Sequence, residues 1–430
     1  MGKSSLKPQL SLFDAVTTGL AAILGAGIFS VIGKAAGIAG PALLISFGIA
    51  FFVALCNALS SIQLAAVLPR SGGTYVFGRQ MLGEWWGFGA GWMFLVANTV
   101  GPGVSALAFG FYVNALWPTA PAHLVAVAAA AVIILLNAAG IRRSVRVTSV
   151  IVILSVISLV TAAAIALPSA HLSNFTPFAP GGVVGILQAT GLLFFAYTGY
   201  SRIATLVEEV HNPKHTIPRA SIIALVGVFA LYLFVAGTTI AVLGAPGIVG
   251  SKSPFSPLAT MMMVVGSGVG VALIVGGALL TTFNEGLSDQ LGVSRVAFAM
   301  GRESDLPSGL AKLGKDQNPW RSVVFVGAIS MIVAAFAPFE QAVAISSFGT
   351  LLYYSVTNSS VLKLPSSQRR FPRALAIAGL VGCLALAFAL PVTDVLIGVA
   401  ILLVGLAYRT VRLRILRRNI EGKNFRDKVS

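Results

Sequence analysis

The sequence predicts an all-α integral membrane protein with twelve transmembrane helices. Ten of them form two five-helix repeats of opposite membrane orientation, and two more follow at the C-terminal end. Three observations predict this. Charge is scarce: 29 Lys and Arg plus 13 Asp and Glu occur in 430 residues, and 57% of the chain is hydrophobic, against about 108 charged residues in an average soluble chain of this length. The charges that do occur are spaced to leave ten long charge-free runs. Two of the resulting spans, the first and the sixth, are interrupted in the middle by small residues.

The first span covers about residues 12–36 and the second lies within 35–69. The runs 85–141 and 147–201 hold 57 and 55 residues, so each accommodates two spans of about 20 residues. Spans seven to twelve fall near 220–251, 253–284, 322–339, 341–362, 374–393 and 395–408. The domain organisation that follows is a cytoplasmic N-terminus over 1–11, a first five-helix repeat over 12–167, a second over 168–363, helices eleven and twelve over 364–408, and a basic cytoplasmic tail over 409–430. With short loops throughout, no separate soluble domain fits.

The net charge of +16 raises the question of nucleic acid, since basic chains bind phosphate. Topology accounts for it better. With the N-terminus cytoplasmic and twelve spans, every Lys and Arg except Lys34 and Lys252 falls on the cytoplasmic side, which is the positive-inside pattern. The tail residues Arg409, Arg412, Arg414, Arg417 and Arg418 then lie where anionic lipid head groups attract them. Both termini are expected in the cytoplasm of a multi-pass protein of the cell membrane. Met1–Leu10 is short and polar and runs directly into a span, unlike a cleaved signal peptide. Cys56 and Cys383 both fall within spans, so neither a disulfide, a disulfide-linked partner nor a metal site is expected; a homo-oligomer is compatible with the sequence.

The interruptions carry the functional argument. The first span is broken at Gly25-Ala26-Gly27-Ile28-Phe29 and the sixth, about 184–210, at Phe195-Ala196-Tyr197-Thr198-Gly199-Tyr200-Ser201. Glycine permits unwound backbone at a cost in helix stability. Two broken helices five spans apart point to inverted repeats, because an odd number of spans flips the second copy. Small residues also serve simple close packing of helices in membranes, but the pair together favours a transporter. At such breaks the freed amides and the positive end of a half-helix receive an anionic group, and freed carbonyls accept an ammonium group. An amino acid carries both.

Four motifs then resemble one family. They are Gly25–Phe29 in the first span; Leu68-Pro69-Arg70-Ser71-Gly72-Gly73-Thr74-Tyr75 with Leu82-Gly83-Glu84 after the second; the sixth-span stretch running into Glu208-Glu209-Val210-His211-Asn212-Pro213-Lys214 and Thr216-Ile217-Pro218-Arg219-Ala220; and Ser294-Arg295-Val296-Ala297-Phe298-Ala299-Met300-Gly301-Arg302 closing with Asp305-Leu306-Pro307. In this order they resemble the amino acid–polyamine–organocation superfamily of permeases, with the LeuT-like fold, over essentially the whole chain. The resemblance implies that a substrate carboxylate meets the backbone amides of Gly25, Ala26 and Gly27. It implies that the ammonium meets the carbonyls of Ile23, Phe195 and Thr198, with Gly199 part of the same break. It also places Phe195 where relatives carry a gating aromatic. Tyr197 is a weaker gating candidate, and with Tyr200 it needs only one hydrogen-bond partner if it is merely buried. Asn98 on the third span either lines the cavity or bonds across helices. Glu208, Glu209, Arg202 and Arg70 lie near the cytoplasmic mouth, as ion pairs of an inner gate or as solvated helix ends.

For energy coupling, the resemblance puts Ser155 where several relatives have a Lys on the fifth span, and Ser201 where many have an acid on the sixth. Deep in the spans no Lys, Asp, Glu or His is expected, with Glu285 and Asp289 read at inner helix ends. A proton relay needs titratable groups, so the usual carrier is missing unless Glu208, Glu285 or Asp289 at the inner helix ends serves. Ser155, with Thr281 and Thr282 opposite it in this fold, offers hydroxyls to a hard cation such as sodium, although such hydroxyls also satisfy their own helices. Three hydroxyls are few for a cation, and the sequence leans towards a gradient-independent exchanger or facilitator, with a sodium- or proton-coupled symporter as the alternative.

Enzymes are excluded on motif grounds: no nucleophile–base pair, metal cluster or P-loop is present, and Gly72-Gly73 lacks the Walker Lys spacing. No cofactor is implied. A channel would show repeated filter elements or charged rings. A cationic amino acid or polyamine substrate is disfavoured, because a second cationic centre usually needs a paired carboxylate or an aromatic wall.

Overall fold

The computed structural model describes residues 10–68, 73–139, 145–200, 203, 210–251, 255–314 and 318–429. Among these residues the architecture is all-helical; the nearest thing to a sheet is one isolated parallel bridge between Leu10 and Val210. Helix α1 (Leu12–Ile23) begins on a capping box, in which the Ser11 hydroxyl accepts from the Asp14 amide and the Asp14 carboxylate accepts from the Ser11 amide. After a break the chain continues through a π-helical turn, Gly27–Val31, into α2 (Ile32–Ala39). Then come α3 (Leu43–Val67), the short α4 (Thr74–Met81), α5 (Glu84–Leu116), α6 (Ala122–Ala138), α7 (Val145–Ala166) and α8 (Gly182–Leu193). The remaining helices are α9 (Pro213–Val249), α10 (Pro257–Val264), α11 (Gly268–Arg302), α12 (Trp320–Phe336), α13 (Phe339–Leu362), α14 (Arg373–Ala389) and α15 (Val392–Val429).

Six helical stretches are long and apolar enough to cross a membrane, and four shorter apolar helices accompany them. Helix α13, at 24 residues about 36 Å long, is more polar. Its Ser346, Ser347, Thr350, Thr357, Asn358 and Ser360 are all buried against neighbouring helices rather than presented to lipid, which is how polar side chains persist at this depth.

One span differs from its expected position. The charge-free run 253–284 is divided: α10 and a turn at Gly266, with φ of +75°, precede the long helix, which starts only at Gly268 and runs 35 residues to Arg302. Glu285 therefore sits in the middle of α11 instead of at its end. A charge-free run locates a helix that faces lipid, but α11 buries Glu285 (4% exposed) inside the protein, where the penalty that keeps charge out of spans is offset by partners.

Charged residues gather at the two ends of the bundle. At one end Lys34 pairs with Glu340 at 3.5 Å. At the other, Arg409 is only 2% exposed, so it is not a lipid-facing tail residue; α15 continues past it, and its guanidinium reaches Asp305 at 3.2 Å and Glu84 at 3.3 Å and lies over the rings of Trp85 and Phe88. Asp305 in turn accepts from the Tyr75 hydroxyl at 2.5 Å and pairs with Arg79 at 3.6 Å. Burial, reinforced by Asp305, pushes the Tyr75 hydroxyl well above its ordinary range. This cluster ties α4, α5, the loop after α11 and α15 together. Removing one member of a buried charge pair strands the other, so Arg409→Ala should destabilise the protein by about 3 kcal/mol. Thr410→Ala, whose hydroxyl bonds only the Leu406 carbonyl of its own helix, should change stability by less than about 0.5 kcal/mol. Thermal unfolding of the detergent-solubilised protein checks both.

Candidate substrate site

The first break lies at Leu24 and Gly25, between α1 and the π-helical turn. Helix α1 closes with the Leu24 amide donating to the Leu20 carbonyl at 2.8 Å, and Leu24 itself is extended (φ −73°, ψ 124°). The chain re-enters helix through Ala26, and the Phe29 amide reaches back to the Gly25 carbonyl at 3.4 Å. The Ala26 amide donates instead to Oε2 of Glu285 at 2.9 Å. Gly25 is required here, because a Cβ would lie 2.0–2.2 Å from the Glu285 carboxyl atoms.

The second break follows α8. A 3-10 turn, Phe194–Tyr197, ends at Thr198, which is extended (φ −62°, ψ 151°), and Gly199 has φ of +108°. The Phe195 carbonyl accepts from the Thr198 amide at 3.1 Å and from the Thr198 hydroxyl at 2.7 Å. The two breaks touch: a Cβ on Gly27 would lie 2.4 Å from Cβ of Ala196, and one on Gly199 would lie 2.0 Å from the Ala22 carbonyl oxygen. Ile23, Gly25, Ala26, Gly27 and Phe195 are buried, whereas Thr198 and Gly199 are partly exposed. All seven substrate-site candidates thus converge on one place at the crossing of two broken helices.

Unwound backbone in a membrane needs partners for its freed carbonyls. Two tyrosines supply them. Tyr232 on α9 donates to the Ala196 carbonyl at 2.9 Å and lies 3.1 Å from the Ile23 carbonyl, bridging both breaks. Tyr112 on α5 donates to the Phe29 carbonyl at 2.6 Å. Tyr197, a gating candidate, is fully buried with its hydroxyl on the Phe47 carbonyl at 3.2 Å and its ring edge-on to Phe47. The Asn98 side-chain amide donates to the Phe94 carbonyl of its own helix at 3.0 Å. Glu208, Glu209, Arg202, Arg70 and Ser201 lie outside the described residues.

A polar line runs from Glu285. Ser105 on α5 donates to Glu285 Oε2 at 2.6 Å. One turn away on α11, the Thr281 hydroxyl touches that of Ser155 on α7. Each is also within reach of its own helix: Ser155 bonds Ile151 at 2.8 Å and Thr281 bonds Gly277 at 2.6 Å. Thr282 donates to Ala278 at 2.7 Å. The structure therefore brings Ser155 and Thr281 together and leaves Thr282 serving its own backbone. Ser105, Tyr112 and Tyr232 are site residues that sequence reasoning missed, and Glu285, which the sequence places at an inner helix end, lies instead at the first break. The spacing Thr281, Glu285, Asp289, four residues each, places them on one helix face and is the signal that marks α11 as carrying a buried polar stripe.

This arrangement agrees with the chain's similarities. The amino acid permease family profile matches residues 10–408, and the chain belongs to that family of membrane transporters; it is not an enzyme. An uncharacterized transporter of Mycobacterium tuberculosis is 43% identical over 96% of this chain and 93% of its own length. The branched-chain amino acid permease BcaP of Bacillus subtilis is 30% identical over 88% of this chain and 85% of its own. Cationic amino acid transporter 4 of Homo sapiens is 27% identical over 84% of this chain and 60% of its own.

The Gly25–Glu285 contact is testable by a double-mutant cycle. Gly25→Ala forces the carboxylate away and should cost about 2 kcal/mol. In a Glu285→Ala background the same change should cost at least about 1 kcal/mol less, because contacting residues do not behave additively. Melting temperatures of the four proteins in detergent measure the coupling, and additive values would contradict the contact.

Proposed function

We propose that the protein is a twelve-span secondary transporter that moves an amino acid or related small amine across the cell membrane by alternating access. In this reading the five-plus-five inverted repeat spans 12–363, both termini are cytoplasmic, and the substrate sits between the breaks. Its carboxylate faces the amides of Gly25, Ala26 and Gly27, and its ammonium group faces the carbonyls of Ile23, Phe195 and Thr198. Phe195 closes over it. The observation that carries the proposal is the bond from the Ala26 amide to a carboxylate: the break at the start of a half-helix, where the dipole favours an anion, already holds the chemical group that one end of an amino acid would present. The ammonium end has carbonyls whose present donors, Tyr232 and Thr198, are hydroxyls and an amide that a cation replaces at low cost.

A neutral aliphatic side chain is the first choice of substrate. The side chains at the breaks, Ala22, Ile23, Phe195 and Ala196, are apolar and buried, and one relative is named a branched-chain amino acid permease. L-Arginine is the rival, since another relative is named a cationic amino acid transporter. Purified protein in liposomes should accumulate or exchange radiolabelled L-leucine, with L-isoleucine and L-valine competing more strongly than L-arginine. Gly27→Leu should lower uptake at least tenfold while the protein still inserts, because its side chain would drive Ala196 off the first break. Near-normal uptake by inserted Gly27→Leu, or L-arginine as the preferred competitor, would contradict this reading. A terminal tag labelled from outside intact cells would contradict the topology.

A further inference from the structure

Glu285 is a titratable group buried in the middle of α11, whereas the sequence places it at an inner helix end. We infer that Glu285 is the proton-carrying group of transport: its carboxylate and the substrate's carboxylate compete for the Ala26 amide, so substrate binds together with one proton on Glu285. The inference rests on the amino acid reading above and adds the coupling ion to it.

The geometry leads there in three steps. Oε2 of Glu285 lies 2.9 Å from the Ala26 nitrogen and 2.6 Å from the Ser105 hydroxyl, so the cradle at the break already holds one carboxylate. The Glu285 carboxyl also occupies the space beside Gly25, 2.0–2.2 Å from where a Cβ would stand, leaving no room for a second carboxylate at the same amide. A substrate carboxylate entering the cradle therefore displaces the Glu285 head by a rotamer change while remaining within a few ångströms of it. Two carboxylates that close do not both stay ionised; one takes up a proton. The substrate's charge is balanced by its own ammonium group and by the amides, so the proton goes to Glu285. The O–H bond forms with a proton from water on the side to which the site is open, and breaks to water on the other side after substrate leaves and the carboxylate returns to Ala26.

The groups around Glu285 suit this role. From α9 the Tyr232 hydroxyl holds the Ile23 and Ala196 carbonyls at the breaks. From α5 come Ser105 and, next to Gly101, the close approach of Asp289, whose Oδ2 would lie 3.3 Å from a Cβ there. On α11 itself Asp289 is one turn away. Helix α7 contributes Ser155 through Thr281 and carries Arg146 at its start, nine residues from Ser155 and so about 13 Å along the axis. Helix α1 carries Asp14 in its first turn, and the breaks themselves present backbone and apolar side chains. Asp289 lines the same face and would pass the proton towards the end of the bundle that holds Asp305 and Arg409.

The test is binding and transport against pH. Thermal shift with the twenty L-amino acids, and with isoamylamine as leucine without its carboxyl group, is measured between pH 5.5 and 8. The apparent affinity of wild type for L-leucine should weaken about tenfold per pH unit once Glu285 is ionised, as uptake of one proton requires. Glu285→Gln keeps a carbonyl oxygen for the Ala26 amide and should bind L-leucine with an affinity that is flat in pH, exchange it across liposomes, and lose accumulation driven by an inward proton gradient. Ser105→Ala removes a donor that favours the charged carboxylate and should move the wild-type profile towards higher pH, a shift that a purely structural role would not produce. Asp289→Asn should keep the pH dependence of binding. The inference is overturned by pH-independent binding in wild type, by pH dependence retained in Glu285→Gln, or by isoamylamine binding as tightly as L-leucine, which would make Glu285 a counter-ion for an amine. A panel in which no amino acid raises the melting temperature at any pH refutes the substrate class, and this inference with it; the first three outcomes leave the substrate class standing.

Discussion

The bond from the Ala26 amide to the Glu285 carboxylate is the constraint around which the protein is organised. Inside a membrane every backbone group must find a partner within the protein, and a helix broken at mid-depth gives up the partners it had. The break in the first span persists because α11 brings a carboxylate to the freed amide and because Tyr112 and Tyr232 bring hydroxyls to the freed carbonyls. In turn the carboxylate is tolerable only because an amide and the Ser105 hydroxyl receive it. Each side makes the other possible, and neither would be stable alone in a hydrocarbon environment.

The glycines at the crossing follow from this arrangement. Gly25 makes room for the Glu285 head, Gly27 lets the first break lie against Ala196, and Gly199 combines a positive φ with contact on the Ala22 carbonyl. These are three distinct steric requirements on three residues, and together they set the breaks against each other at the level of Glu285. Away from the crossing the chain turns again at Gly244 within α9 and at Gly266 before α11, both with positive φ. At one end of the bundle the Arg409, Asp305 and Tyr75 cluster fixes α4, α5 and α15 to one another.

Much of this was legible in the sequence. The breaks at Gly25-Ala26-Gly27 and around Thr198-Gly199 stand out because small residues interrupt otherwise continuous apolar runs, and the family motifs give the same positions. Helix α11 was not legible in the same way. Counting charge-free residues places it over 253–284, whereas the protein divides that run with a turn at Gly266 and buries Glu285 and the residues beyond it inside the bundle. Hydropathy records the environment a residue would prefer, and it cannot register a partner supplied by a helix far away in sequence: Ala26 is 259 positions from Glu285, and Ser105 is 180. The tyrosines that cap the breaks escaped for the same reason, since nothing local distinguishes Tyr232, which serves two carbonyls, from Tyr197, which packs against Phe47.

The central claim is that the carboxylate held at Ala26 changes owner when substrate arrives. Infrared difference spectroscopy reads this directly. Adding L-leucine to the protein in membranes should produce the carbonyl stretch of a newly protonated carboxyl group, unshifted when the substrate carboxylate carries carbon-13 and absent in Glu285→Gln. Saturating L-leucine that leaves the carboxyl region unchanged, or a protonation band that survives in Glu285→Gln, would contradict the account.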